Sequence, residues 1–446
     1  MPRRLLAVLC FLLLPPMALS AQSTGLRSKI TDLFVFGGTS DPLKLGGTAT
    51  SANPGIAAHG NHFIPSANAE NGTIIRFLVD AIGGNVSNVP IGATSGSETF
   101  QFVNGVPVAT STSSGPIFAE RGQTMGRGRA IVGLGHTSFS FSTLRGVPMS
   151  DVKATFTHEN SDFPGCTAAL GQDCKQMGVP NYENDVINLD LNMQINVDVT
   201  TLYLTYGLFD KMDVGVVLPL VSTHLRGSSI ATIVPFGPPP VAHFFAGDFN
   251  NPVLTAQRDV EGSSFGVGDV ALRSKLLIRE SPSGTFSLVG DARFPSGDAE
   301  DLLGSGHFSA RALAVLSGKT GDISPHTNIG FLYRAGSTQN SAVLGTAGFD
   351  AQVDKGLTLA ADLVSELQVG RSKLALPQPV HFDAPYVRDV AGTTIPEMRD
   401  DIVNASVGFK LVTSSSVVIV ANALAPLNRG GLRASVIYTG ALEFNF

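Results

Sequence analysis

The residues that close this chain constrain it most. Val436, Tyr438, Gly440, Leu442, Phe444 and Phe446 share one face of an alternating run, and Ser435, Thr439, Glu443 and Asn445 share the other. A period of two is that of a β-strand. One apolar and one polar face, continued up to a terminal aromatic, suits a strand that meets lipid on one side and an aqueous or hydrogen-bonded lumen on the other. The competing assignment is a soluble β-sandwich that ends in Phe, and it must account for the rest of the chain.

The other end reads as an export signal. Arg3 and Arg4 precede an apolar run from Leu5 to Leu14, followed by Pro15-Pro16 and the small residues Ala18, Ser20 and Ala21. This pattern predicts a secretory signal peptide over 1–21, too short to cross a bilayer as a helix. Leu9 before Cys10 does not suit lipoprotein processing, so no lipid anchor is expected. No later segment offers about 18 uninterrupted apolar residues, which excludes a helical membrane protein. The formal charge of −6 falls to about −8 once Arg3 and Arg4 leave, so no basic surface awaits nucleic acid. Two cysteines then remain, Cys166 and Cys174, and an oxidising compartment favours a local disulfide between them. His158 alone does not make a metal site of that region, and neither metal nor cofactor is expected.

From residue 130 onward the pattern predicts about twelve strands, near 130–144, 186–208, 212–222, 264–280, 285–295, 306–318, 323–335, 341–353, 357–370, 399–413, 416–425 and 431–446. Their links alternate in length. Tight turns at Phe209-Asp210-Lys211, Ser281-Pro282-Ser283-Gly284, Lys319-Thr320-Gly321-Asp322, Asp354-Lys355-Gly356 and Thr413-Ser414-Ser415 alternate with connections that are nearly all longer, including 145–185, 223–263 and 371–398. An up-and-down transmembrane antiparallel β-barrel with both termini on one side produces this sorting, and a sandwich does not. The absence of Trp and the six Tyr depart from the aromatic girdles usual in such barrels, and the 27 Phe lack a polar tip to replace them.

Polar rows opposite apolar rows mark candidate lumen-lining residues. Asn188, Asp190, Asn192, Gln194, Asn196 and Asp198 alternate with Ile187, Leu189, Leu191, Met193, Ile195, Val197 and Val199. Amides and carboxylates cannot sit unpaired in hydrocarbon, so this polar row is expected to face the lumen, with an exposed sheet face as the alternative. Asp269, Arg273, Lys275 and Arg279 oppose Val270, Leu272, Leu276 and Ile278. Asp291 and Arg293 oppose Leu288 and Ala292, Asp362 and Glu366 oppose Leu359, Leu363 and Leu367, and Glu443 is the polar residue of the last strand. Charges of both signs in these rows predict a salt-bridged interior rather than a single-sign selectivity field.

Residues 22–125 differ from the rest. Gly37-Gly38, Gly46-Gly47 and Pro54-Gly55 break long elements, Thr73 to Ile82 reads as a short helix, and Asn104-Gly105 reads as the turn of a small hairpin. This segment is expected either to plug a barrel formed by 126–446 or to hang in the periplasm. If the hairpin joined the wall, the count would be fourteen strands. Asp298, Glu300 and Asp301 lack the spacing of a calcium loop and read as a solvated acidic loop. Pro235, Pro238-Pro239-Pro240, Phe236, Phe244, Phe245 and Phe249 make 223–263 apolar for a surface loop, and packing over the mouth is expected. There is no Gly-x-Ser-x-Gly elbow, no His-Glu-x-x-His pair and no phosphate loop. An outer-wall hydrolase built around His136 with Ser138 and Ser140 is the least implausible catalytic reading, and the chain is not expected to be an enzyme.

The run Tyr206-Gly207-Leu208-Phe209-Asp210-Lys211-Met212-Asp213-Val214-Gly215-Val216-Val217-Leu218-Pro219 resembles the strand-turn-strand of the outer-membrane family named MetA-pathway of phenol degradation. So do Gly266-Val267-Gly268-Asp269-Val270 and Arg293-Phe294-Pro295-Ser296-Gly297-Asp298. Gly115-Pro116-Ile117-Phe118-Ala119-Glu120-Arg121 with Gly126-Arg127-Gly128 is similar to a leading motif of related barrels. In outer-membrane barrels an ending like Tyr438, Leu442, Phe444 and Phe446 serves as the insertion signal for the barrel-assembly machinery. The resemblance implies a bacterial outer-membrane location, outer-membrane lipid as surroundings, and passive uptake of a small, hydrophobic or aromatic solute, without catalytic residues. A structural or adhesive surface protein with a filled lumen is the alternative function.

Overall fold

The computed structural model describes residues 25–34, 65–87, 100–103, 106–109, 119–157, 186–235, 245–247, 251–382, 387–414 and 417–446. The expected signal peptide, Cys166 and Cys174, and most of the 145–185 connection lie outside them. Twelve strands form the wall: β1 Ala130–Leu144, β2 Val186–Phe209, β3 Met212–Val234, β4 Ala271–Ser281, β5 Gly284–Arg293, β6 Ser309–Gly318, β7 Ile323–Arg334, β8 Ala342–Asp354, β9 Leu357–Gln368, β10 Ile402–Ser414, β11 Val417–Pro426 and β12 Ile437–Asn445. Each pairs antiparallel with its neighbours in sequence. The C-terminal strand β12 then closes on β1, from Tyr438 opposite Ser138 to Asn445 opposite Ile131. Closure removes the sheet edges that an open wall would expose. Phe100–Val103 and Val106–Ala109 pair only with each other, so the wall has twelve strands and not fourteen.

The β2–β3 hairpin is taller than the rest, with 24 and 23 residues. Its upper half leaves the barrel ring and pairs instead with Val152–Thr157 on one flank and Thr255–Val267 on the other. Much of the expected 223–263 loop is therefore strand. The alternation continues there, with His224 and Arg226 outward and Thr223 and Leu225 inward, but its contrast weakens because the outer face meets water rather than hydrocarbon. Of the apolar residues of this connection, Pro235 and Phe245 fall among the described residues, and Phe245 packs against the core beneath.

The polarity of the two faces inverts along the hairpin, while the same row of residues stays buried throughout. In lower β2, Leu202, Leu204, Tyr206 and Leu208 are exposed on the outer surface while Thr201, Tyr203 and Thr205 are buried inside. In upper β2 the apolar row from Ile187 to Val199 is buried inside, and Asp190, Asn192, Gln194 and Asn196 are exposed outside. The change falls at one height on adjacent strands, where Thr200 pairs with both His136 and Leu220. Below it Leu134 is outward, and above it His136, Ser138 and Ser140 are. Exposed Leu272, Leu276, Leu359, Leu363, Leu367, Leu442 and Phe444 continue the belt around the barrel. An apolar surface of this extent is stable only when covered, and a ring of it around a closed barrel matches a lipid-facing band.

Two helices from the N-terminal segment fill the upper mouth: α1 Leu26–Asp32 and α2 Pro65–Ser87. The expected short helix at 73–82 is the middle of α2. Leu26, Ile30, Ile74, Ile75, Leu78, Val79 and Ile82 join the inward rows of β1, β2 and β3 in the largest apolar core. Each such side chain contributes roughly 1.5–3 kcal/mol when removed from water. Gly227 and Gly262 let α1 approach the wall, since a Cβ at either would lie 2.9 Å or less from a Leu33 or Leu26 methyl. The acidic 298–301 loop helps to dock the same helix. Asp298 Oδ1 accepts the Glu300 N–H at 2.9 Å, and the Glu300 carbonyl accepts the Arg27 N–H at 2.9 Å.

Candidate functional site

The lumen holds three layers: the helical plug, a chamber beneath it, and a strap of residues 119–125 across the lower end. The strap is anchored on both its side chains and its backbone. Glu120 meets Arg273 Nη1 at 3.1 Å and Lys275 Nζ at 3.2 Å, and Arg121 Nη2 meets Asp350 Oδ2 at 2.8 Å. The Gly122 N–H donates to Ser317 Oγ at 2.9 Å, Ser287 Oγ donates to the Gly122 carbonyl, and the Met125 N–H donates to Asp213 at 3.1 Å. Barrel strands β3, β4, β5, β6 and β8 thus all hold it. Extended backbone inside a barrel needs this number of partners because no sheet ladder satisfies it.

Polar residues of the lower wall continue the network. His326 bridges Asp362 through Nε2 at 2.6 Å and Asp350 through Nδ1 at 3.4 Å. Tyr203 Oη donates to Glu443 Oε1 at 2.8 Å. A Cβ on Gly133 would fall 2.0 Å from that tyrosine ring, so the glycine makes its place. Lys410 is buried, and its ammonium has no hydrogen-bond partner among the described residues.

Between strap and plug lies a cavity of about 270 Å³. Phe77 and Ala81 of α2 form its roof, Leu313, Leu344, Val364, Leu424 and Ile437 give it apolar walls, and Arg273, Arg293, Arg311, Arg334 and Arg433 also line it. Asp291 accepts from Arg273 at 3.2 Å and Arg293 at 3.3 Å, with Arg311 at 3.5 Å. At the rim, Arg145 binds Asp400 through Nε at 2.7 Å and lies 6.0 Å from the Phe77 ring centroid, fastening loop to plug. Asp401, outside the wall, is held below the usual carboxylate range by the hydrogen bond from Arg399 and then by the Gln368 N–H.

The predicted residues divide by position. Asp269, Arg273, Lys275, Asp291, Arg293, Asp362 and Glu443 are buried within the barrel, and Glu366 pairs with Arg334 at 2.7 Å beside the chamber. Asp269 is not free in the lumen, for it accepts the Gly297 and Ser305 N–H groups at 3.0 and 2.8 Å and pins the 296–305 loop. Two expectations are corrected. Asp190, Asn192, Gln194 and Asn196 are exposed on the outer face of the tall hairpin, with Asn188 and Asp198 half-buried in the same outward row, because the plug makes the interior apolar at that height. Arg279 is exposed because the pairing register shifts between Leu277 and Arg279 and reverses the parity beyond it. His136 is exposed on the outer wall with Nδ1 3.0 Å from Thr200 Oγ1, and among the described residues no serine hydroxyl donates to it. The Glu120-Arg121 strap, Tyr203 and the Arg145–Asp400 clamp were not predicted as site residues. Only the motif resemblance around 115–121 pointed toward the strap.

No family model matches the sequence, and no curated protein does. Solved structures share the barrel loosely. An outer-membrane channel from Pseudomonas putida F1 aligns over 73% of this chain and 97% of its own, at 12% identity and a TM-score of 0.41. A FadL homologue from Pseudomonas aeruginosa aligns over 71% and 88% at 10% identity and 0.30, and OprB from Pseudomonas putida over 72% and 94% at 6% and 0.27. At these scores the fold rests on the strand pairing of this chain itself.

Proposed function

We propose that the chain is an outer-membrane channel for passive uptake of a small solute, of hydrophobic or aromatic character, in the manner of the MetA-pathway of phenol degradation family. The observation that carries this reading is the inversion of polarity between the inward and outward rows of β2, which supports a belt in lipid below and a hairpin in water above, around a lumen that contains a chamber. Export by the 1–21 signal, insertion through the C-terminal strand and a Cys166–Cys174 disulfide in the outer loop belong to the same proposal. No catalytic role is assigned.

A second reading draws on the strap and plug. A lumen crossed by both is also what a closed structural or adhesive surface protein would have. Release of labelled solutes from liposomes holding the full mature chain separates the two. A channel passes a size-limited subset of an apolar and polar panel, and a filled barrel passes none.

A further inference from the structure

Guanidiniums withdrawn into a barrel interior are costly unless anions meet them. Around the chamber the charges do not balance. Arg273, Arg293 and Arg311 share the single carboxylate of Asp291, and Glu120 is shared by Arg273 and Lys275. Lys275 also faces the buried Asp213 across the β3–β4 pairing, so four cations meet three carboxylates. Of the other carboxylates of the lining, Glu366 pairs with Arg334 and Asp400 with Arg145, both at 2.7 Å, and Glu366 also acts on Arg433 from beyond 4 Å.

Arg433 is an independent sign of the same deficit. It is 4% exposed and lines the chamber, its Nη2 donates to the Val403 carbonyl at 3.1 Å and to Asn404 Oδ1, and no carboxylate lies within 4 Å among the described residues. The Nε groups of Arg433 and Arg311 have no hydrogen-bond acceptor among those residues. The leucines and valine of the wall complete a surface that is cationic in part and apolar in part.

We infer that the chamber is a binding site for a small organic monoanion, with its carboxylate or similar head on the guanidinium of Arg433 or of Arg311 and a compact apolar body against the leucines of the wall. Arginine suits such a head because its planar fork donates two parallel hydrogen bonds to one carboxylate. The size agrees, since about 270 Å³ lies just under the ~300–1,000 Å³ of sites for drug-sized ligands. The inference deepens the channel reading and rests on it for transport, while binding itself does not.

The test uses the full mature chain in a nonionic detergent, titrated calorimetrically with benzoate and with its neutral counterpart benzyl alcohol. Benzoate is expected to bind at least tenfold more tightly. Arg311→Gln combined with Arg433→Gln should weaken benzoate at least tenfold and leave benzyl alcohol within twofold, while Arg226→Gln, which removes an exposed ion pair with Glu261, should change neither. Equal affinities for the two probes, or benzoate binding indifferent to the double substitution, overturn the inference. So does inorganic phosphate binding as tightly as benzoate, since the apolar wall would then add nothing. The wild-type comparison stands even if the double variant fails to fold, which its heat-modifiable migration reports. Efflux of the same two solutes from liposomes separates the claims. Permeation without preference for benzoate rejects the anion site alone, and benzoate binding without any permeation rejects the channel alone.

Discussion

Arg121 and Asp350 form the direct ion pair between strap and wall on β8, and both side chains are almost fully withdrawn from solvent. Removing one partner of a buried pair costs about 3–5 kcal/mol, because the other charge is left uncompensated. Arg121→Ala is therefore expected to loosen the strap, visible as more frequent or larger openings in planar bilayers and a lower temperature for the heat-modifiable transition. Unchanged conductance would mean that the strap does not limit passage. Tyr203 makes a smaller test of the same network. Tyr203→Phe deprives Glu443 of its donor and should cost about 1–3 kcal/mol in urea unfolding from liposomes. Gly133→Ala should cost at least as much, because its methyl would displace the whole ring. A finding that either substitution is neutral would show the buried carboxylate to be satisfied in another way.

At the scale of the element, β2 carries two environments on one strand. Outward Leu204 lies in the apolar belt and outward Asn192 lies above it, twelve residues away on the same face. Leu204→Arg is expected to cost ~2–4 kcal/mol if it lies near the bilayer midplane, as charged substitutions on lipid-facing positions do. Asn192→Arg should stay within about 0.5 kcal/mol, like other exposed polar changes. Urea titrations of the two variants in the same lipid check this, and equal costs would remove the boundary drawn at Thr200. The register shift in β4 works at this scale too. One shifted pairing past Leu277 sends Arg279 out of the lumen, although the spacing Arg273, Lys275, Arg279 looks continuous in the chain.

At the scale of the molecule, plug, chamber and strap lie in series, so removing any one tests the route as a whole. Deletion of residues 25–87 is expected to raise single-channel conductance several-fold while the wall still forms, since the twelve strands pair without the helices. Conductance equal to that of the intact chain would show that the strap or the wall, and not the plug, sets the limit. Strand number, antiparallel order and the tight turns at one end were legible in the sequence, because a period of two and turn chemistry are local properties. Which face of a strand looks inward was legible only where lipid lay outside, as in β9, where Leu359, Leu363 and Leu367 point away from Asp362. In upper β2 the same alternation admitted both answers. Alternation states that two rows differ, and the packing of α1 and α2 from a distant part of the chain decided which row was enclosed. Likewise the charges of the lumen could be read from the residues, but their pairing, with three arginines on Asp291 and no carboxylate within 4 Å of Arg433 among the described residues, depends on strands brought together only when the barrel closes.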